Sequence, residues 1–389
     1  MEAKIEKAFE FVKDKLFSEK TCLIYDHVIK GREAHLPTVK EISAVFPNPC
    51  GYGTGMEDGM INGATMLDAC LLIYERTRDA LSAEFAHKLV KGQLNCAFSA
   101  KSEGFLPRGV AIEDEKTHYP DSSRDQYTMF CFGMHRYLRS ELCTDFEREQ
   151  IAKAAVAIAR RAEKNVTPEN GYDMLTDDGG KTLVNVMWGE SLGNHEYLRL
   201  PMIYLLAYEA TGDRYWLEKY KAIRVHAVEK SLPMTKYWAL YTLQQMQASI
   251  LLCYDVDMDE KWRKRYLSLM NTVADYTEAL VPEVRRKLEA YGNYNDEQRS
   301  FRDIKMTPGE RFIRLGHKDA LSVERTDTVA NFTLQDCAQV AIVSGRVQGR
   351  KPSEAASRLF YDAFSRIDLG KHERSLPLYF IDGYYRSYF

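Results

Sequence analysis

The sequence predicts an all-α fold, an (α/α)6 barrel formed as a single domain over residues 1–389, and three observations lead there. Helical periodicity dominates the chain, while runs of alternating β-branched residues are nearly absent. Stretches that are apolar around most of their circumference (61–74, 127–137, 198–208, 237–253 and 329–342) alternate with stretches charged along one face. The length of 389 residues divides into six helical hairpins of roughly 65 residues, enough for two ordinary helices and their loops.

Taken in order, the amphipathic stretches place helices near 3–18, 58–77, 82–100, 123–140, 145–164, 196–211, 215–230, 237–254, 260–280, 328–344 and 352–365. A helix apolar on all sides has to be covered on all sides. Two concentric rings meet that need, the inner walled by the outer and by its own neighbours. The turn "ATGDRYW" reads as a helix stop at Gly212 and a restart capped by Asp213. Segments entering the apolar helices (47–57, 104–122, 167–193, 291–324) are instead long and rich in Gly, Pro, Asp, Arg and Tyr. Short turns at one end and elaborate loops at the other concentrate chemistry at a single mouth. The stretch 282–324 reads as long and irregular, and a sixth hairpin is not delimited.

Composition narrows the function. A net charge of -3, from 53 Lys+Arg among 56 Asp+Glu, offers no basic footprint, so nucleic acid is not an expected partner. No run approaches the roughly 20 apolar residues of a membrane span, and the first ten residues lack the apolar core of a signal peptide. Native compartment and oligomeric state stay open. The eight cysteines are scattered without metal-ligand spacing and read as reduced core residues; neither metal nor cofactor is expected.

Polar groups gather ahead of the apolar helices. The segment "GFLPRGVAIEDEKTHYPDSSRDQYT" carries Arg108, His118, Asp121, Arg124, Asp125, Gln126 and Tyr127. Ser123 and Gln126 have capping-box spacing, which leaves Arg124, a cation at a helix N-terminus, unexplained. The segment "WGESLGNHEYLRLP" supplies Trp188, Glu190, His195, Glu196 and Arg199; Glu196 and Arg199 are spaced to pair along one helix. "GYGTGMEDGMINGATM" places Glu57 and Asp58 at a helix start, without the pattern of a phosphate loop, and "SVERTDTVANFTLQD" adds Glu324, Arg325 and Asp327. Capping is the simple alternative at Asp58 and Asp327. Facing carboxylates suit glycosidic cleavage, which needs one protonated acid and one ionised group, and aromatic rings such as Trp188, Tyr127, Trp238 and Tyr241 offer flat surfaces to sugars.

The stretch "YLRLPMIYLLAYEATGDRYWLEKYKAIRVHAVEKSL", with its Leu-Pro-led helix ending in "TGD", resembles the six-hairpin glycosidase superfamily, and within it bacterial enzymes akin to unsaturated glucuronyl hydrolases. "PDSSRDQYT" resembles the loop presenting the first of that family's two aspartates, which implies Asp125 as one catalytic carboxylate. Where those hydrolases carry an acid six residues before the helix proline, this chain has His195, beside Glu196; the second carboxylate is then Glu196, Glu190 or Asp58. A histidine there also resembles sugar epimerases of the same toroid.

The resulting expectation is a glycoside hydrolase acting on an oligosaccharide, with a uronate as one candidate sugar. Asp125, Glu196, Glu190 and His195 are the catalytic candidates. Asp58, Arg108, His118, Asp121, Arg124, Tyr127, Trp188, Arg199, Trp238 and Asp327 are the binding candidates. The alternatives are a polysaccharide lyase using Tyr127 or His195 as base, a sugar epimerase, and a toroid that binds glycans without turnover.

Overall fold

The computed structural model describes residues 1–30, 36–232, 234, 239–291, 301–302 and 325–388. Helices account for the regular structure: α1 (Glu2–Phe11), α2 (Val39–Ser43), α3 (Gly59–Thr77), α4 (Ala80–Phe98), α5 (Arg124–Leu138), α6 (Asp145–Asn165), α7 (Arg199–Thr211), α8 (Arg214–Lys230), α9 (Leu240–Val256), α10 (Glu260–Ala279), α11 (Val281–Tyr291), α12 (Arg325–Gly345), α13 (Glu354–Ser365) and α14 (Pro377–Ser387). Among the described residues extended pairing is limited to isolated bridges such as Ser123 with Val184.

The fold is all-helical. Six helices touch in a cycle: α3 packs on α5, α5 on α7, α7 on α9, α9 on α12, α12 on α14, and α14 returns to α3. The others, all but α2, are in contact with these helices as follows: α4 on α3, α6 and α8 on α7, α10 on α9 and α12, α11 and α13 on α12, and α1 on α14. The described residues of the five stretches read as apolar all round fall in or directly before helices of the cycle, and in α3 every residue from Gly59 to Ile73 is buried. Gly133 lets α5 approach α3 closely, since a Cβ there would lie 3.0 Å from the Cβ of Ala64.

Local signals set the helix ends. Thr144 and Glu147 form a reciprocal capping box at α6, and Ser353 accepts the Ala356 N–H at α13. The turn after α7 follows expectation: Gly212 takes a left-handed conformation and Asp213 accepts the Tyr215 N–H at 3.0 Å.

Three expectations need correction. The sixth member of the cycle is α14, whose segment "PLYFIDGYYRS", at 11 residues, is shorter than any stretch the sequence reading places in a helix. Residues 281–291 are helical rather than irregular, and α12 begins at Arg325, so Arg325 and Asp327 lie within its first turn and not ahead of it. Glu324 and Trp238 fall outside the described residues. All eight cysteines are free, seven of them buried.

Charged side chains of α3, α5 and α14 and the residue that follows α12 meet in the interior. The Arg346 guanidinium lies 4.3 Å over the Phe132 ring and 4.0 Å from both Asp68 and Asp382. Arg136 donates to Asp68 at 2.8 Å, and Arg386 pairs with the same carboxylate. Burial opposes the charge on Asp68, but Arg386, Arg136 and Arg346 outweigh it and hold the carboxyl near 2. The warning in the sequence was one carboxylate inside "MINGATMLDACLLIY".

Candidate functional site

The starts of neighbouring helices in the cycle bring the polar segments together. Gln126, in the first turn of α5, donates from Nε2 to Asp58 Oδ1 at 3.1 Å, at the start of α3. Arg199, in the first residue of α7, pairs through Nη1 with Asp125. Arg124 pairs through Nε with Glu196 and donates to the Val186 carbonyl at 3.2 Å. Glu196 therefore pairs across to the neighbouring segment, not along its own helix with Arg199. The cation that looked misplaced at an N-terminus is explained by this cross-link.

The two capping expectations at these helix starts also change. Neither Asp58 nor Ser123 makes a side-chain cap. Gln126 turns away from Ser123 and reaches α3 instead: its Oε1 accepts the Met60 N–H at 3.2 Å and its Nε2 also donates to the Glu57 carbonyl at 3.0 Å. Met60 and Gln126 are both buried, so these bonds run inside the wall between α3 and α5.

Asp58 and Asp125 keep part of their surface in solvent, with side-chain exposures of 41% and 29%. Their surroundings differ. Burial works against the charge on Asp125, yet the guanidinium groups of Arg199, Arg124 and Arg108 prevail and hold its carboxyl below the ordinary range. Asp58 instead adjoins two further carboxylates. Asp26 accepts the N–H groups of Glu57 and Asp58 at 2.9 and 3.0 Å and the Asn62 amide at 2.7 Å. Burial, followed by the charge of Asp58, pushes Asp26 up to about 7. Glu57 accepts the Gly53 N–H and is raised well above its ordinary value by burial, then by Asp26 and Asp58. The start of α5 thus holds an ionised carboxylate among arginines, and beside the start of α3 burial and the charge of Asp58 make Asp26 and Glu57 retain protons towards neutral pH.

Arg108 is buried beneath Tyr52, its guanidinium 4.5 Å from the ring centroid; it donates to the Tyr52 hydroxyl at 2.8 Å and the Glu57 carbonyl at 3.1 Å, and lies 3.9 Å from Asp58. A Cβ on Gly59 would sit 2.5 Å from the Arg108 carbonyl, so the glycine is what allows this loop to press on the start of α3. Burial, followed by the charges of Asp58, Asp26 and Asp125, raises the Tyr379 hydroxyl of α14 well above its ordinary value. His195 is buried beside Glu196, 3.6 Å from its Oε1; burial and then Arg199 lower its imidazole to about 4, which leaves it neutral at ordinary pH.

Other candidates lie elsewhere. Glu190 is 79% exposed and pairs with Lys230 at 2.8 Å on the outer surface. His118 bonds Asp177 at 3.1 Å and the Lys116 carbonyl at 2.8 Å, inside the loop. Asp121 accepts the N–H groups of Ser122 and Leu183 at 2.7 and 3.0 Å, which pins two loops together. Tyr127 is wholly buried; its hydroxyl accepts the Leu106 N–H at 3.0 Å and donates to the Gly104 carbonyl at 3.4 Å, so it is not open to a substrate. Trp188 packs against Tyr197 and His226. The segments bearing Asp125 and Glu196 are neighbours in the cycle, where the sequence had suggested that they face each other across it. Sequence reasoning missed Asp26 and the reach of Gln126; the only signal for Asp26 was a carboxylate within the apolar run "CLIYDHVI".

Among the described residues no group of three or more His, Cys, Asp and Glu side chains is arranged to hold a metal ion, and no helix is long and apolar enough to cross a membrane. The chain matches none of the known protein families it was compared with, and no curated protein matches it.

Proposed function

We propose that the cycle of six helices is the inner ring of an (α/α)6 barrel and that the chain is a glycoside hydrolase acting on an oligosaccharide at the mouth of that ring. The observation that carries this proposal is the pair of partly exposed carboxylates, Asp58 and Asp125, at the starts of adjacent helices, with opposite electrostatic surroundings. Separated environments assign acid and base roles to two carboxylates. Asp58, beside Asp26 and Glu57 whose carboxyls burial and its own charge push up, takes a proton from that group and passes it to the leaving glycosidic oxygen. Asp125, kept ionised by arginines, supports attack of water at the anomeric carbon. Glu196 is spent on Arg124 and on the Gly193 N–H at 2.8 Å, which suits a strut; Glu190 is too remote to take part. The three candidate arginines are likewise engaged, by Asp125, Glu196 and Tyr52, so the substrate class is an oligosaccharide without a uronate assigned to them.

The test is release of reducing ends from a panel of neutral and acidic glycans by the wild type, Asp58→Asn and Asp125→Asn. Each variant is expected to lose about a thousandfold or more in kcat while retaining sugar binding by calorimetry. A wild type that binds glycans without cleaving any, or a product with new near-ultraviolet absorbance, would overturn hydrolysis in favour of a binder or a lyase.

A further inference from the structure

We infer that Arg199 is a positioning residue that anchors Oδ1 of Asp125 and so presents Oδ2 to the attacking water; this rests on Asp125 being the group that supports attack. The three nearby guanidinium groups are used differently. Arg124 is spent on Glu196 and the Val186 carbonyl, and Arg108 on the Tyr52 hydroxyl and the Glu57 carbonyl. Among the described residues only Arg199 bonds the Asp125 carboxylate, through Nη1 to Oδ1, and Oδ2 receives no hydrogen bond. Local chemistry supplies no other reason for Arg199 to be where it is. It is the first residue of α7, where the helix dipole disfavours a cation; it is 1% exposed, and its buried Nε has no partner among the described residues. Burying such a group costs free energy that one ion pair to a partly solvated carboxylate does not fully return. A cation held against its local preferences and bonded to Asp125 marks a place where stability yields to function.

Asp125 and Arg199 stand in the first turns of adjacent helices, so the packing of α5 on α7 sets the direction of the carboxylate. As the glycosidic C–O bond breaks, the oxygen of water bonds the anomeric carbon and one water proton passes to Oδ2, while the departing oxygen takes a proton from the acid. The proton on Oδ2 then returns to solvent, from which the acid is reloaded, and the ion pair with Arg199 is restored. No co-reactant beyond water is needed. The charged and titratable groups facing Asp125 are Arg199, Arg124 and Arg108, which favour its ionised form, the neutral His195, and the Tyr52 and Tyr379 hydroxyls.

The experiment titrates the Asp125 carboxyl carbon by NMR in protein labelled at aspartate, assigned by its loss in D125N, beside the pH profile of kcat/KM, for the wild type, Arg199→Met and Arg199→Lys. Loss of the positive charge in R199M is expected to move the Asp125 titration and the acidic limb of the profile up by about 1 pH unit, with Arg124 and Arg108 keeping the rise from being larger. R199K keeps the charge, so both should move by less than about half as much and kcat should recover in part. In R199M kcat should fall about ten- to a hundredfold, with KM within about threefold and the melting temperature within about 4 °C of wild type. A folded R199M whose titration, limb and kcat are unmoved overturns the inference, whatever its melting temperature, and makes Arg199 a structural strut. A wild-type Asp125 that titrates at or above the ordinary value of about 3.9 overturns it without recourse to either variant. A wild type that cleaves no glycan overturns the hydrolase proposal instead, and the NMR titration then decides by itself whether Arg199 acts on Asp125.

Discussion

His135 offers the sharpest test of how the far end of the cycle is held. It is completely buried near the end of α5, with Nδ1 2.7 Å from Glu209 of α7 and Nε2 3.1 Å from Asp255 of α9. Both ring nitrogens face carboxylate oxygens, which can only accept, so the ring is an imidazolium bridging three helices. Burial opposes the charge, but Glu209 and Asp255 outweigh it and raise the imidazole above its ordinary value. His135→Phe keeps the shape and removes two charge-assisted bonds. Each is worth about 1.5–3 kcal/mol, and the desolvation no longer suffered by the imidazolium offsets part of the sum, for a net loss of about 2–3 kcal/mol. Arg139 still pairs with Glu209 at 2.6 Å and Asp255 is partly solvated, which keeps the loss from being larger.

The pH dependence fixes the sign. A raised folded-state value means that the stabilisation is fully present below the unfolded value of about 6.5 and is lost as pH rises towards the folded value, at no more than about 1.4 kcal/mol per pH unit. Urea denaturation followed by circular dichroism, wild type against H135F, should therefore show its largest gap at about pH 5.5 and a smaller one at about pH 8.5. A gap that is constant or grows with pH would refute the imidazolium bridge.

Three further outcomes are expected. Glu190→Ala should leave both turnover and melting temperature unchanged, since its partner Lys230 is on the surface; a large loss of turnover would restore it as a candidate. Glu196→Gln should lower stability by about 1–3 kcal/mol by unpairing Arg124, measured by denaturation, while keeping turnover within about tenfold of wild type; a loss as deep as that of D125N would make Glu196 catalytic. Gly104→Ala should cost about 2–4 kcal/mol in the same assay, because its φ is +75° and the new Cβ would fall 2.1 Å from the Ala157 carbonyl oxygen; a neutral result would contradict that contact.

Chain-local properties were legible before any coordinates. The all-helical class, five of the six helices in the cycle, the Gly212–Asp213 turn and the gathering of charge ahead of α5 and α7 all follow from periodicity and capping chemistry, which act over a few residues. The sixth helix was missed because it spans only 11 residues, too few to stand out beside the longer stretches.

Partner choice was not legible. Spacing paired Glu196 with Arg199 and Ser123 with Gln126, whereas packing joins Arg124 to Glu196, Arg199 to Asp125 and Gln126 to Asp58. A side chain at a helix start can reach its own turn or a neighbour's, and local sequence weighs only the first option. Only the approach of α3, α5 and α7, set by what each buries against the next, decides which charge meets which. The same approach leaves Asp58 and Asp125 open to solvent and encloses Asp26, Tyr127 and Asp68.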